Sequence, residues 1–256
     1  MKLRLHQFLA RSGVAKNNFE IALMINKGRV KVDNEVVTAE SFIFDSKRRR
    51  VYLDGKEIRL QTVRYFIVNK PKGHSCQRGE YPNVSDLLEN ILKTEPEAMR
   101  SVFVVGRLDR DTEGLIILTN DGKVASKILN PVDKIEKEYE ATVDGSFSEG
   151  AIKKLEEGVN IVVDSEDYKT LPAKARLIKR IKIPSGGKTT SVVRIIITEG
   201  KKRQVRQMFE EVGFPIVSLK RVRIGSLKLE DMGDKWVKEL TRDEIQDALL
   251  PKREIA

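Results

Sequence analysis

The chain is poor in the residues that staple, ligate or span. Among its 256 residues there is one cysteine, Cys76, so no intrachain disulfide can form and a reducing compartment is expected. The two histidines, His6 and His74, do not combine with that cysteine into a metal-ligand spacing, and neither a P-loop nor a dinucleotide fingerprint occurs. No apolar run approaches the roughly 20 residues that span a bilayer. The basic N-terminus is interrupted by Arg4, His6, Gln7 and Arg11, which leaves no signal-peptide core. A secreted disulfide scaffold, a membrane span, nucleotide-driven chemistry and metal chemistry are thereby disfavoured. The expectation is a cytoplasmic protein, monomeric, with no membrane association and no cofactor.

What is present is positive charge on a foldable chain. Apolar residues make up 40%, enough for a packed core, and the formal charge is +10, which favours a polyanionic partner such as nucleic acid. Residues 1–60 hold 13 Lys+Arg against 7 Asp+Glu, so the first quarter carries +6 of the excess. That skew suggests a separate binding module, with the catalytic domain over 61–256. Leu3, Leu5, Phe8 and Leu9 recur at helical spacing, and Phe19 to Ile25 reads as a second helix ended at Lys27-Gly28. Arg29 to Val32 then alternates as a strand, Asp33-Asn34 turns, and Val36-Val37 returns. The cationic run Lys47-Arg48-Arg49-Arg50 precedes a hairpin at Asp54-Gly55 and offers further phosphate contacts.

The densest chemistry lies between two apolar runs, Val102–Val105 and Leu115–Leu118, both with the length and side chains of buried strands. Between them run Gly106-Arg107-Leu108-Asp109-Arg110-Asp111-Thr112-Glu113-Gly114. A carboxylate held at rigid strand ends beside fixed cations is what a catalytic site needs. Further on, Lys137 to Val143 alternates as a strand, and Ile178 to Lys188 reads as a basic hairpin around Pro184-Ser185-Gly186-Gly187. Val205, Met208, Phe209 and Val212 fall at i, i+3, i+4 and i+7, the stripe of a helix that places Lys202, Arg203 and Arg206 near its start. A basic helix start can bind phosphate by charge and by free amides. Asn83 to Leu92 reads as another helix, with Leu87, Leu88, Ile91 and Leu92 on one face.

The stretch from Gly106 to Gly122 resembles motif II of the pseudouridine synthases, in the form used by the RsuA/RluB/RluF branch (G-R-L-D-x-x-T-x-G-L-L-x-L-T-N-D-G). Other segments extend the resemblance over almost the whole chain. Asn69-Lys70-Pro71-Lys72-Gly73 is similar to N-K-P-x-G, Lys137 to Val143 to K-x-Y-x-x-x-V, and Lys169 to Ala173 to K-T-x-P-A. Glu199 to Phe209 is similar to E-G-x-x-x-Q-V-[RK]-R-M-F, and Leu219 to Gly225 to L-x-R-x-x-I-G. The resemblance implies that Asp109 is the catalytic aspartate, Tyr139 the active-site tyrosine and Arg206 the cation paired with Asp109. It also points to Arg107, Arg110, Lys202, Arg203, Leu219 and Arg221 as substrate-binding, and to a supporting role for the Lys70 segment beneath the site. Gln207 departs from the pattern, where the family often has a second arginine.

Residues 1–60 resemble an S4 RNA-binding domain, notably in Leu3-x-Leu5-x-x-Phe8-Leu9-Ala10-x-Ser12-Gly13 and Lys27 to Val32. By that likeness Arg4, Arg11, Lys16, Lys27, Arg29 and Lys31 are the expected RNA contacts. His6 stands where the family usually has Asp, and Lys16-Asn17-Asn18 where it has Ser-Arg-Arg, which thins the phosphate grip. Together the resemblances imply an α+β protein: a small S4-like domain joined to a synthase domain with a mixed, mostly antiparallel sheet and flanking helices. The implied reaction turns a uridine of structured RNA, foremost ribosomal RNA or a ribosome-assembly intermediate, into pseudouridine. The competing reading is a non-catalytic RNA-binding or ribosome-assembly factor, which could dispense with Asp109, Tyr139 or Arg206. A metal-dependent phosphodiesterase built on Asp109 and Asp111 is poorer, because Arg110 between them would repel a divalent ion.

Overall fold

A computed structural model of the chain describes residues 2–15, 17–182 and 189–249. Lys16 and the tip around 184–187 lie outside them. The chain divides into two compact units, one formed by Met1–Arg64, Leu88–Phe103 and Leu118–Asp121, the other by Tyr65–Leu87, Val104–Ile117 and Gly122–Ala256.

The first unit runs β1 (Lys2–Arg4), α1 (Leu5–Ser12), α2 (Asn18–Asn26), β2 (Val30–Val32), β3 (Glu35–Val36), β4 (Ile43–Asp45), β5 (Val51–Leu53) and β6 (Lys56–Ile58), then α3 (Glu89–Leu92) and α4 (Pro96–Ser101). Helix α1 starts later than the apolar spacing suggests, because Lys2–Arg4 pair antiparallel with β4. Leu5, Phe8 and Leu9 then turn inward against Ile21, Ile25, Val30, Val32, Phe44 and Val51. Gly13 ends α1 at φ +69, where a Cβ would lie 1.8 Å from the Glu97 carbonyl oxygen, so the close approach of α4 requires glycine. Asn17, one of the departures from the S4 pattern, caps α2 by accepting a hydrogen bond from the Glu20 amide at 2.9 Å. Strands β3-β2-β5-β6 form a small antiparallel sheet.

The expected helix over 83–92 is instead a 3₁₀ turn, Val84–Leu88, continued by α3. Val84, Leu88 and Leu92 are buried, and Ile91, expected on the inward face, is exposed.

The second unit holds β7 (Tyr65–Lys70), β8 (Phe103–Val105), β9 (Glu113–Thr119), α5 (Gly122–Leu129), β10 (Lys137–Asp144), α6 (Glu149–Glu157), β11 (Asn160–Val163), β12 (Glu166–Lys169), β13 (Lys174–Lys182), β14 (Thr189–Ile197), α7 (Gln204–Glu211), β15 (Ile216–Ile224), β16 (Leu227–Lys228), β17 (Val237–Leu240) and α8 (Arg242–Ala248). Seven strands lie in the order β13-β14-β10-β15-β9-β7-β17, with β16 on β15 and β8 on β9. The β13–β14, β14–β10, β10–β15 and β7–β17 ladders are antiparallel, whereas β15 and β9 run parallel, so the sheet is mixed and mostly antiparallel. Strands β7 and β9 are near-continuous apolar runs, as suits strands covered on both faces. The parallel pairing sets Arg221 beside Gly114. At Gly114 φ is +103 and a Cβ would fall 2.2 Å from the Arg221 carbonyl oxygen, so this glycine permits the joint between motif II and β15.

Candidate active site

The apolar strands β8 and β9 enter and leave the loop 106–112, and backbone contacts hold it. The Asp109 carbonyl accepts from the Thr112 amide at 3.0 Å, closing a turn with Asp109 at its start. The Arg110 carbonyl accepts from the Gly73 amide at 2.7 Å and from Lys70 Nζ at 3.3 Å. Lys70 is fully buried, donates also to the Pro71 carbonyl, and forms the floor support that its motif suggested. Burial pulls its ammonium below the usual lysine range, opposed by Cys76, Asp111, Glu113 and Asp109. Arg110 donates through Nη2 to the Tyr81 carbonyl at 3.0 Å and sits 3.9 Å from Glu80. The Leu108 amide meets Cys76 Sγ at 3.5 Å, while burial raises the Cys76 thiol above its ordinary value.

Helix α7 brings the cations, in an arrangement that corrects the expected one. Arg206 does not pair with Asp109. Its Nη2 lies 3.0 Å from Asp111 Oδ2 and donates to Thr112 Oγ1 at 3.2 Å and the Asp111 carbonyl at 3.3 Å. The cation nearest Asp109 is Arg203, 3.9 Å from Asp109 Oδ2 and 3.8 Å from Asp111 Oδ1. The reason is where the helix begins. It starts at Gln204, so Arg203 is its N-cap, left-handed at φ +52 and exposed, while Arg206 in the first turn is buried against the loop. Lys202 likewise precedes the helix and is exposed.

A buried acid locks the start of this helix. Glu199 accepts from Tyr168 Oη at 2.5 Å, the Leu171 amide at 2.9 Å and Gln204 Nε2 at 2.5 Å, and Gln204 Oε1 accepts from the Lys201 amide at 2.9 Å. The bond to Glu199 pushes the Tyr168 phenol up to about 12. Gln207, the departure from the family pattern, accepts from the Val162 amide at 3.0 Å and so ties α7 to β11.

Strands β10 and β15 supply the opposite wall. Tyr139 and Arg221 are register partners. Arg221 Nη1 donates to Tyr139 Oη at 3.4 Å, its guanidinium lies 5.9 Å from the ring centroid, and Nε donates to the Leu115 carbonyl at 2.7 Å. These groups share one cavity of about 790 Å³, large enough for a nucleotide and lined by Asp109, Tyr139, Arg203, Arg206, Leu219 and Arg221. Arg107, Arg110 and Lys202 also line it, so the nine residues expected for catalysis and substrate binding converge.

Three contributors went unread in the sequence: Lys137, Glu199 and Asp111 as the partner of Arg206. Lys137 lines the cavity two residues before Tyr139, and burial, with Arg221 nearby and Glu199 opposing, lowers its ammonium to about 8. The K-x-Y spacing puts Lys137 on the same strand face as Tyr139, since i and i+2 of a strand share a face.

Of the cations expected to touch RNA in the first unit, Arg4, Lys27 and Lys31 are exposed, and Arg11 is half-buried in the last turn of α1. Arg29 is exposed but paired with Asp54. The cationic run is largely engaged too: Arg48 with Asp45 at 3.8 Å, Arg49 with Asp33 at 2.7 Å, and Arg50 with Glu57 at 4.0 Å.

A cavity that gathers an aspartate, a tyrosine and several arginines on a mixed sheet, in a chain that also carries a small basic α+β unit, suits an RNA-modifying enzyme. The RNA pseudouridylate synthase family matches residues 64–211 and the S4 domain matches residues 3–49. An RNA pseudouridine synthase of Aquifex aeolicus (strain VF5) is 36% identical over 246 residues, covering 96% of this chain and 93% of that one. The ribosomal large subunit pseudouridine synthase B of Bacillus subtilis (strain 168) is 34% identical over 246 residues, covering 95% and 94%. A crystal structure of a pseudouridylate synthase superposes with a TM-score of 0.63 at 28% identity, covering 97% of this chain and all of that one. The chain belongs to the RNA pseudouridylate synthase family, in the form that carries an N-terminal S4 domain.

Proposed function

We propose that this enzyme isomerises a specific uridine of ribosomal RNA, with Asp109 as the catalytic aspartate, Tyr139 beside the flipped base and Arg206 holding the loop that aims Asp109. The observation that carries the reading is the convergence of Asp109, Tyr139, Arg206 and Leu219 on one nucleotide-sized cavity. The named activity of the B. subtilis relative on the large ribosomal subunit supports the choice of RNA. The reaction breaks the N1–C1′ bond, turns the base and joins C5 to C1′. The uridine must first leave its stack, at about a few kcal/mol. Phosphate contacts from Arg107, Arg110 and Lys202 at the cavity, and from Arg4, Arg11, Lys27 and Lys31 in an RNA-binding domain over 1–60, offset that cost. The ring of Tyr139 stacks on the extruded base and Leu219 closes the pocket. Asp109 acts through its carboxylate, whether it attacks C1′ or takes the sugar 2′ proton, with Arg203 3.9 Å from its Oδ2. The reading has the enzyme working as a monomer in the cytoplasm, the unpaired Cys76 supporting that compartment; sedimentation of the free protein checks the first. Among the described residues no helix is long and apolar enough to cross a membrane.

The test is Asp109→Asn with tritium release from C5-labelled ribosomal RNA transcripts, backed by mapping pseudouridine in ribosomal RNA from cells with and without the gene. The variant should bind RNA like the wild type and release no tritium. Wild-type-like turnover removes Asp109 from the chemistry.

A further inference from the structure

On one wall of the cavity, two cations deep in the β-sheet have no carboxylate partner among the described residues. Arg203 and Arg206 face Asp109 and Asp111, and Arg110 faces Glu80. On the opposite wall, Lys137 Nζ donates to the Ile135 carbonyl at 3.2 Å and has no carboxylate within ion-pair distance among the described residues. Arg221 is 95% buried. Its Nε is taken by Leu115 and its Nη1 reaches Tyr139, but the buried Nη2 has no partner among the described residues. Arg223, two residues on and outside the cavity lining, is held differently. Its Nε, Nη1 and Nη2 are all engaged, by Glu138 at 2.7 Å, the Gly225 carbonyl at 2.6 Å and Glu136 at 2.9 Å. A buried guanidinium donor left open is costly, and a second, half-buried cation beside it with no carboxylate adds to the cost. Such an arrangement is expected where a ligand supplies the missing acceptors.

The chemistry supplies acceptors of the right kind. Whichever way Asp109 acts, the N1–C1′ bond breaks with its electron pair going to the base. The detached uracil is then an anion, with charge on N1 shared by O2 and O4. The proton later lost from C5 is balanced by one gained at N1, so no co-reactant is needed. Turning the ring about the line through N3 and C6 exchanges N1 with C5 and also O2 with O4. Two fixed cations set for the two carbonyls therefore fit the base equally before and after it turns.

We infer that Lys137 and Arg221 bind the two carbonyl oxygens of the target uracil and stabilise the base while it is detached. This rests on the pseudouridine-forming reading above and adds Lys137 to the groups that touch the reacting base. Fixed cations aimed at charge that develops in the reaction typically contribute about 10²–10³ in rate per donor.

The experiment measures single-turnover tritium release at saturating enzyme, and filter-binding affinity, on the same C5-labelled ribosomal RNA transcript. Lys137→Met should slow the chemical step about 10²-fold with the transcript Kd within twofold of wild type. Lys137→Arg, which restores the charge, should recover about tenfold of that loss. If Lys137→Met melts early, Lys137→Gln replaces it, keeping a donor without the charge, and the same loss is expected. A chemical step within twofold of wild type in the uncharged variant overturns the inference and leaves the parent reading standing. So does weaker transcript binding with a normal step, which would make Lys137 a backbone contact. A wild-type chain that forms no pseudouridine on any ribosomal transcript overturns the parent reading and this one with it.

Discussion

Replacing Gly114 by alanine puts a methyl group where the structure has no room for one. The added Cβ would lie 2.2 Å from the Arg221 carbonyl oxygen, 2.8 Å from its amide nitrogen and 2.9 Å from its carbonyl carbon. All three are backbone atoms, so no side chain can swing aside, and relief requires β15 and β9 to part by about 1 Å to reach ordinary contact distances. The φ of +103 adds strain for any residue with a Cβ, about 1–2 kcal/mol. Overpacking adds about 1–3 kcal/mol, so Gly114→Ala should destabilise the synthase unit by about 2–5 kcal/mol. The same shift moves Arg221 and the end of the Asp109 loop, and a displacement of that size costs about 10²-fold in rate. Trp236, the single tryptophan, lies in this unit and reports its urea unfolding. The midpoint should fall by about 1–2 M at the usual slopes. Gly122→Ala is the control. It opens α5 with nothing within 4 Å of its added Cβ, so it should unfold at or slightly above the wild-type midpoint. A Gly114→Ala chain with wild-type midpoint and wild-type turnover refutes the claim that Gly114 serves the approach of β15.

Two other outcomes follow from the site. Arg206→Lys should keep the charge at Asp111 but lose the forked hold on Thr112 and the Asp111 carbonyl, slowing single-turnover tritium release about 10²-fold with little change in RNA affinity; Arg206→Glu should show no measurable chemistry, and a normal step in it makes Arg206 a mere RNA contact. Lys137 titrates near 8 in the folded chain against the ordinary lysine value of 10.5, so between those values the unfolded chain binds more protons and folding is favoured as pH rises. Below pH 8 the cost of the buried charge is present in full, so any melting-temperature advantage of Lys137→Met should be largest at pH 7 and shrink up to about pH 10.5; a pH-independent difference counts against it.

Much of this was legible in the sequence, for reasons that differ by element. The strands around the Asp109 loop announced themselves because strands buried on both faces are unbroken apolar runs. The α7 stripe is equally plain, and Val205, Met208 and Phe209 are buried as it requires. What the pattern could not supply was the phase of the helix start. Three basic residues at positions 202, 203 and 206 look alike in sequence. The Glu199–Gln204 lock fixes the helix start at Gln204, which leaves Arg203 as the exposed N-cap beside Asp109 and sends Arg206 to Asp111. The pairing of β1 with β4 was hidden because three residues are too short for an alternation to show. Lys137 went unread because a lysine in an alternating strand looks like a solvent-facing residue until its neighbours are known.

The parallel ladder between β9 and β15 has a consequence for how the enzyme comes into being. Arg221 donates to Leu115 across 106 positions of chain, and its register partner Gly114 is one position further away. Contacts of that separation form late, after the loop-closure entropy has been overcome. The wall opposite Asp109 therefore cannot exist while the chain is still short of β15, and β17 must arrive to cover the edge of β7. A nascent chain with its S4 unit already folded carries that unit's exposed basic residues before it has a catalytic centre. The cavity that faces Asp109 is complete only with the last strands of the sheet.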